Sequence, residues 1–122
     1  MVIKESAEMY LETILVLSKQ GAVRSIDIAK EMNFSRPSVS VALHNLEKEE
    51  YISIEADQTI KLLPKGAEIA KTIYERHSVL STLFMNLGVD KKTATEDACR
   101  IEHYISDKTF KAIKAHMAKH NK

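Results

Sequence analysis

The chain of 122 residues carries 18 basic and 17 acidic residues, a formal net charge of +1, and 44% of its residues are hydrophobic. This balance excludes an intrinsically disordered chain, and no apolar run approaches the ~20 residues that a membrane-spanning helix requires. A single cysteine, Cys99, excludes an intramolecular disulfide framework. Because acidic residues follow position 4 at once, no secretory signal is expected, and the chain is predicted to be cytoplasmic.

Three amphipathic helices are predicted in the first 50 residues. Apolar residues at helical spacing predict the first helix over 5–19. Ser25 is the predicted N-cap of a short second helix that ends at Asn33, and Ser35 is the predicted N-cap of a third helix that runs to about residue 49.

Two short alternating segments follow, 51–54 and 59–62, and the intervening Asp57 and Gln58 fit a hairpin turn. Helix, helix, turn, helix and β-ribbon, in this order, is the plan of the winged helix-turn-helix. The near-neutral net charge means that any DNA-binding surface must be local and must be helped by dimerisation.

Beyond the ribbon the pattern is helical. A long helix is predicted from Pro64 until Gly88 ends it, a second helix covers 91–106, and a third covers 107–120. The predicted fold class is therefore mainly α: an N-terminal winged helix-turn-helix followed by an all-helical lobe.

The second of these helices carries a group of residues with metal-ligand chemistry. On a helix, Cys99 lies three and four residues before Glu102 and His103, so the three side chains share one face. Thiolate, carboxylate and imidazole form a mixed ligand set for a divalent transition metal. A cysteine alone is more often a small buried hydrophobe, and the two neighbours are what favour a metal site.

Several stretches of the chain together resemble the DtxR/MntR family of metal-dependent transcriptional repressors. They are Glu8–Leu11, Asp27–Ala29, Pro37–Ser40, Pro64–Gly66, Arg76–His77 and Ala98–His103. The resemblance implies a winged helix-turn-helix DNA-binding domain over 1–63 and a helical metal-binding and dimerisation domain over 64–122. It also implies a short member without the C-terminal small β-barrel that many iron-type members carry.

The resemblance also implies a set of metal ligands. Iron-type members bind their regulatory metal with residues that match Met9, Cys99, Glu102 and His103. Manganese-type members have carboxylates at the first two of these positions and add ligands that match Glu12 and His77. From the residues alone, Met9 fits a core methionine better than a ligand, and only the resemblance favours the ligand role. Glu12 and His77 also fit ordinary polar residues.

The second metal site of iron-type members is incomplete in this sequence. That site uses the match of His77, a glutamate where this chain has Ser81, and a histidine where it has Thr95. His116 and His120 also lie four residues apart on a predicted helix, but the neighbouring Lys114 and Lys119 favour a solvated surface.

The third helix is predicted to enter the major groove of DNA. Its outward residues would read bases or bind phosphates, and basic residues near the wing would neutralise phosphates. The candidate DNA-binding residues are Arg24, Ser35, Arg36, Pro37, Ser38, Ser40, Val41, Asn45 and Lys61.

The sequence thus predicts a cytoplasmic homodimeric repressor that binds palindromic double-stranded DNA when loaded with a divalent metal, Fe(II) first and Mn(II) second, and controls metal-uptake genes. No membrane or small-molecule substrate is expected. Apolar residues from Ile101 to Ile113 would supply the dimer contact or fill the subunit's own core. A repressor that senses oxidation at Cys99 is a rival, and a cysteine enzyme using Cys99 and His103 is disfavoured because no oxyanion donor is apparent.

Overall fold

The structure is a computed structural model and describes residues 5–120, with the backbone alone described at His120. The elements in chain order are α1 (Glu5–Ser18), α2 (Ser25–Met32), α3 (Arg36–Lys48), β1 (Ile52–Ile54), β2 (Ile60–Leu62), α4 (Pro64–Asn86), α5 (Lys91–Ile101) and α6 (Asp107–His120). They form two compact units that divide between Lys71 and Thr72, inside α4. The predicted division at residues 63 and 64 coincides instead with the start of α4, and it stays a prediction.

The first unit packs α1, α2 and α3 around one apolar core. Leu11 and Ile14 of α1, Ile28 of α2 and Val39 of α3 are fully buried. Ile52 of the ribbon is also fully buried and belongs to the same cluster. The helical spacing of apolar residues therefore produces a shared interior, as the sequence predicted.

The ends of α2 and α3 follow local chemistry. Ser35 is the N-cap of α3, since its Oγ accepts from the N–H of Ser38 at 3.3 Å. Asn33 ends α2 in the left-handed conformation, with φ of 57°. The predicted N-cap at Ser25 is wrong by one residue: Arg24 is the N-cap, and its N–H donates to the carboxylate of Asp27 at 2.9 Å.

The ribbon is a two-stranded antiparallel sheet in which Ile52 pairs with Leu62 and Ile54 with Ile60. The turn is closed by the N–H of Thr59, which donates to the carboxylate of Asp57 at 3.0 Å. Hydrogen bonds from Thr59 hold the pKa of Asp57 below its ordinary value. The predicted hairpin and its turn are therefore present.

Gly66, in the first turn of α4, is required by a close approach of the chain. A Cβ at this position would collide with the backbone carbonyl of Tyr51. Tyr51 is buried and immediately precedes β1. The missing side chain thus allows α4 to begin against the ribbon.

In the second unit, α4 ends in a two-bond C-terminal motif: the N–H of Val89 donates to the carbonyl of Phe84 and the N–H of Gly88 to that of Met85, both at 3.0 Å. Gly88 takes the positive φ of 103° that this motif needs. The predicted extension of the next helix to Ser106 is wrong, because α5 ends at Ile101.

A turn from 102 to 106 replaces the predicted last part of that helix. Ser106 instead caps α6, since its Oγ accepts from the N–H of Thr109 at 3.1 Å. The core of this unit includes Leu80 of α4, Ala98 of α5 and Phe110 of α6, all buried. Among residues 5–120, no helix combines the length and apolar character that crossing a membrane requires.

Candidate metal centre and nucleic-acid interface

Glu102 is the most unusual side chain of the second unit, because it is a fully buried carboxylate. It follows the last residue of α5, and its N–H still donates to the carbonyl of Ala98 at 2.9 Å. Its Oε2 lies 2.9 Å from Nδ1 of His77 on α4. Burial of a carboxylate is costly unless charge or hydrogen bonds compensate it, so the surroundings of Glu102 are informative.

The second carboxylate oxygen of Glu102 faces another imidazole. Oε1 lies 3.4 Å from Nε2 of His103, whose side chain is 1% exposed. Within the described residues, no hydrogen bond reaches Oε1 of Glu102. One carboxylate oxygen near each of two imidazoles, with one oxygen lacking a donor, is a donor set that fits a divalent transition metal.

Cys99 lies on the last turn of α5 and is exposed, whereas Glu102 is buried. Because α5 ends between them, the three residues of the motif do not share one continuous helix. The participation of Cys99 in a metal site stays a prediction.

This chain has Ser81 and Thr95 where the iron-type second site has a glutamate and a histidine. The structure shows which contact Ser81 makes instead. Its hydroxyl is buried and donates to the carbonyl of His77, one turn earlier in α4, at 2.7 Å. Thr95 is half-buried on α5. The imidazole of His77 is directed at Glu102.

Met9 and Glu12 belong to the first unit. They lie three residues apart on α1 and both are half-buried. The carbonyl of Met9 accepts from the hydroxyl of Thr13 at 2.8 Å, an ordinary contact within the helix. Their roles as ligands stay predictions.

The candidate DNA-reading residues of α3 form an exposed polar surface. Arg36, Pro37, Ser40 and Asn45 are exposed, and Val41 is 64% exposed, which is high for an apolar residue. An exposed valine on a polar helix face fits contact with a thymine methyl group. These positions are accessible, as base reading requires.

Two serines of this surface already have structural contacts. Ser35 caps α3, and its hydroxyl also donates to Oγ of Ser38 at 2.8 Å. Their exposure leaves them accessible, but their first role is to fix the start of α3.

The basic residues near the wing are partly occupied within the chain. Nε of Arg24 donates to the carbonyl of Asp57 at the ribbon turn, at 3.4 Å. Nζ of Lys61 lies 3.6 Å from the carboxylate of Glu55, and both side chains are largely exposed. An exposed pair of this kind is weak, so Lys61 can exchange it for a phosphate.

The residues proposed for either the dimer contact or the core differ in exposure. Phe110 is buried in its own subunit, whereas Ile101 is 39% exposed. Tyr104, which the sequence analysis did not single out, is 75% exposed beside the buried Glu102.

Arg76 was given no role by the sequence analysis. It lies beside His77 on α4 and contacts the turn that follows α5. The one sequence feature that could have indicated a role for Arg76 is its position next to the candidate ligand His77. Its hydrogen-bond partners lie 26 and 29 residues away, and no local pattern indicates them.

Two family models match the chain. "Iron dependent repressor, N-terminal DNA binding domain" matches residues 3–60, and "Iron dependent repressor, metal binding and dimerisation domain" matches residues 63–122. An uncharacterised HTH-type transcriptional regulator of Methanocaldococcus jannaschii is 33% identical over 118 residues, which cover 94% of each chain. The chain belongs to the DtxR/MntR family of metal-dependent transcriptional repressors.

A second relative and a solved structure are also similar to this chain. The HTH-type transcriptional regulator MntR of Listeria welshimeri is 34% identical over 102 residues, which cover 83% of this chain and 72% of that protein. The structure of the manganese regulator SloR has a TM-score of 0.81 at 26% identity and covers 92% of this chain. The present chain spans about half of SloR, 53% of its length.

These comparisons confirm several predictions from the sequence. The mainly α fold with a winged DNA-binding unit and a helical unit is confirmed, and so is the conclusion that the chain is a regulator and not an enzyme. DNA binding, divalent metal binding and dimerisation hold at the level of the family.

Proposed function

We propose that this protein is a cytoplasmic homodimer that represses metal-uptake genes by binding palindromic DNA when it holds a divalent metal. Fe(II) is the proposed native metal and Mn(II) the alternative. The observation that carries the proposal is the fully buried carboxylate of Glu102, with one oxygen 2.9 Å from His77 and the other 3.4 Å from His103.

The proposed ligands are Met9, Cys99, Glu102 and His103, with Glu12 and His77 as ligands of a second metal or of a manganese-type set. A bound divalent metal supplies positive charge next to the buried carboxylate, which lacks a donor at Oε1. The two sulfur atoms of the first set favour Fe(II) over Mn(II), because manganese prefers oxygen and nitrogen.

The manganese alternative has its own support. His77 contacts Glu102, and Ser81 removes the glutamate that the iron-type second site uses. The similar structure of SloR, a manganese regulator, points the same way.

On this proposal, metal binding and DNA affinity are coupled. A coupling free energy of ~1–3 kcal/mol gives a several-fold to about hundred-fold change in DNA affinity. Half-sites about one helical turn apart require a fixed spacing of the two recognition helices, and the exposed surface of α3 would then read bases.

The proposal is tested by DNA binding under anaerobic conditions. A palindromic duplex is first selected from a random library with the protein and Fe(II) or Mn(II), and its affinity is then measured with Fe(II), Mn(II), Zn(II) or a chelator. We expect tighter binding with Fe(II) or Mn(II) than with the chelator, by at least several-fold. Equal affinity under all four conditions would overturn the sensor function.

A Cys99→Ser variant separates the metal sensors from the redox-sensing rival, which the exposure of Cys99 favours. On the iron proposal, the variant loses affinity for Fe(II) and the Fe(II)-dependent DNA binding. On the redox reading, it keeps metal-dependent DNA binding and loses a response to peroxide.

A further inference from the structure

Arg76 holds the turn that contains Glu102 and His103. Its Nη1 donates to two backbone carbonyls, that of Glu102 at 3.2 Å and that of Ile105 at 2.8 Å. Nη2 lies 3.7 Å from the carboxylate of Asp107, and the guanidinium carbon lies 5.5 Å from the ring centre of Phe110. The side chain of Arg76 is only 13% exposed, so these contacts are largely shielded from water.

These contacts take up the carbonyl of Glu102, the C-cap residue of α5, and that of Ile105 in the turn that follows. The last carbonyls of a helix carry a partial negative charge, and a cation bound there is favourable. Hydrogen bonds from a charged donor are stronger than neutral ones. Arg76 thus binds the turn at 102–106, where the sequence pattern alone predicted more helix.

Two successive residues of α4 bind Glu102, one at its backbone and the other at its side chain. Arg76 binds the carbonyl of Glu102, and His77 binds its carboxylate. With the backbone fixed by Arg76, the side chains of Glu102 and His103 leave the turn in one direction, both almost fully buried.

We infer that Arg76 is a positioning residue for the metal site: it presets Glu102 and His103 through the backbone of the turn without binding the metal itself. The inference rests on the proposed function, since it assumes that these two side chains are ligands. Groups that orient metal ligands from outside the coordination shell affect metal affinity by ~10–100-fold. Without Arg76 the turn has more conformations to lose when the metal binds, and affinity falls.

The test compares Arg76→Met, Arg76→Lys and a matched control. Methionine keeps much of the side-chain volume but removes every hydrogen bond, whereas lysine keeps the charge and reaches fewer acceptors because it lacks the planar fork. The control is Glu75→Gln, one residue earlier, which alters an exposed ion pair with Lys114 of 2.7 Å and leaves the turn untouched.

Each protein is titrated with Co(II), whose visible spectrum reports its ligands, and with Mn(II) in competition with a chelating dye. Thermal unfolding in chelator measures the stability of the metal-free protein separately. We expect Arg76→Met to bind both metals ~10–100-fold more weakly and to show an altered Co(II) spectrum. Arg76→Lys should recover part of that loss, and Glu75→Gln should match the wild type.

The outcomes separate this inference from the proposed function. If the wild type binds neither metal, the metal-sensor function fails and the inference with it. If the wild type binds and folded Arg76→Met binds equally well, only the inference is overturned, and a loss confined to thermal stability overturns it as well. Should Arg76→Met not fold, Arg76→Lys decides: binding as tight as the wild type contradicts the inference, and weaker binding with an unchanged fold supports it.

Discussion

The candidate DNA-reading helix α3 and the turn at 102–106 differ in whether their polar side chains are exposed or buried. The polar residues of α3 are exposed, and the start of the helix is fixed by Ser35 and Ser38, three residues apart. The turn buries the carboxylate of Glu102 and is fixed by Arg76, 26 residues away along the chain. A surface that reads an external partner can be built locally, whereas a buried ligand set needs support from distant parts of the fold.

The largest effect is expected from a substitution of Glu102, which tests whether the buried carboxylate is a metal ligand. Glu102→Gln keeps the shape of the side chain but removes its charge, so it should weaken Mn(II) or Co(II) binding by more than ~100-fold, beyond the effect of losing an orienting partner. Metal titration measures the loss. Glu96→Gln, at an exposed glutamate of the preceding helix α5, is the control and should bind as the wild type does.

If Glu102→Gln binds metal as tightly as the wild type, the buried carboxylate has a purely structural role. The contrast between an exposed reading surface and a buried ligand set would then disappear, even with DNA binding intact.

A smaller effect, on stability, is expected from Gly66→Ala. A methyl group at this position meets the carbonyl of Tyr51, so the start of α4 must shift away from the ribbon. Overpacking of this kind costs about 1–3 kcal/mol of unfolding free energy. Urea denaturation measures the cost, with Lys71→Ala, an exposed position of α4, as the control. A Gly66→Ala variant as stable as the control would show that the two elements can separate without cost.

The ends of these elements also show what a sequence can predict. Ser35 was predicted as an N-cap because the interaction that defines it is three residues long. The predicted N-cap of α2, Ser25, is one residue too late. The N–H of Arg24 donates to the carboxylate of Asp27, so the cap lies at Arg24. Local patterns therefore located the helices but not every cap.

The site of the second unit could not be predicted in the same way. The identities of Glu102, His103 and His77 were available from the family resemblance, which depends on residue types. Helix α5 ends at Ile101, and the turn after it accepts hydrogen bonds from Arg76 of α4, 26 residues before Glu102. No local spacing encodes that contact.

Ser35→Ala tests whether a local N-cap fixes the start of α3. Loss of an N-cap costs about 1 kcal/mol of unfolding free energy, so the variant should be less stable than the wild type. Ser40→Ala changes an exposed serine of the same helix that has no capping role, and its stability should be unchanged. Thermal unfolding compares the two. Equal stabilities would mean that packing, and not the cap, fixes the start of α3.

The smallest expected effect concerns acid and the N-cap of α5. The carboxylate of Asp90 accepts from the N–H of Thr93 at 3.0 Å, and hydrogen bonds from Thr93 hold the pKa of Asp90 below its ordinary value of 3.8. A lowered pKa in the folded state stabilises the protein at pH values above the ordinary pKa, and this contribution is lost as the pH falls through the lowered pKa.

Asp90→Asn keeps a capping oxygen that does not titrate. The stability difference between wild type and variant should therefore be largest at neutral pH and should shrink below pH 3.8. Thermal unfolding at a series of pH values measures this difference, and a difference that stays constant into acid would show that the charge of Asp90 does not contribute to the cap.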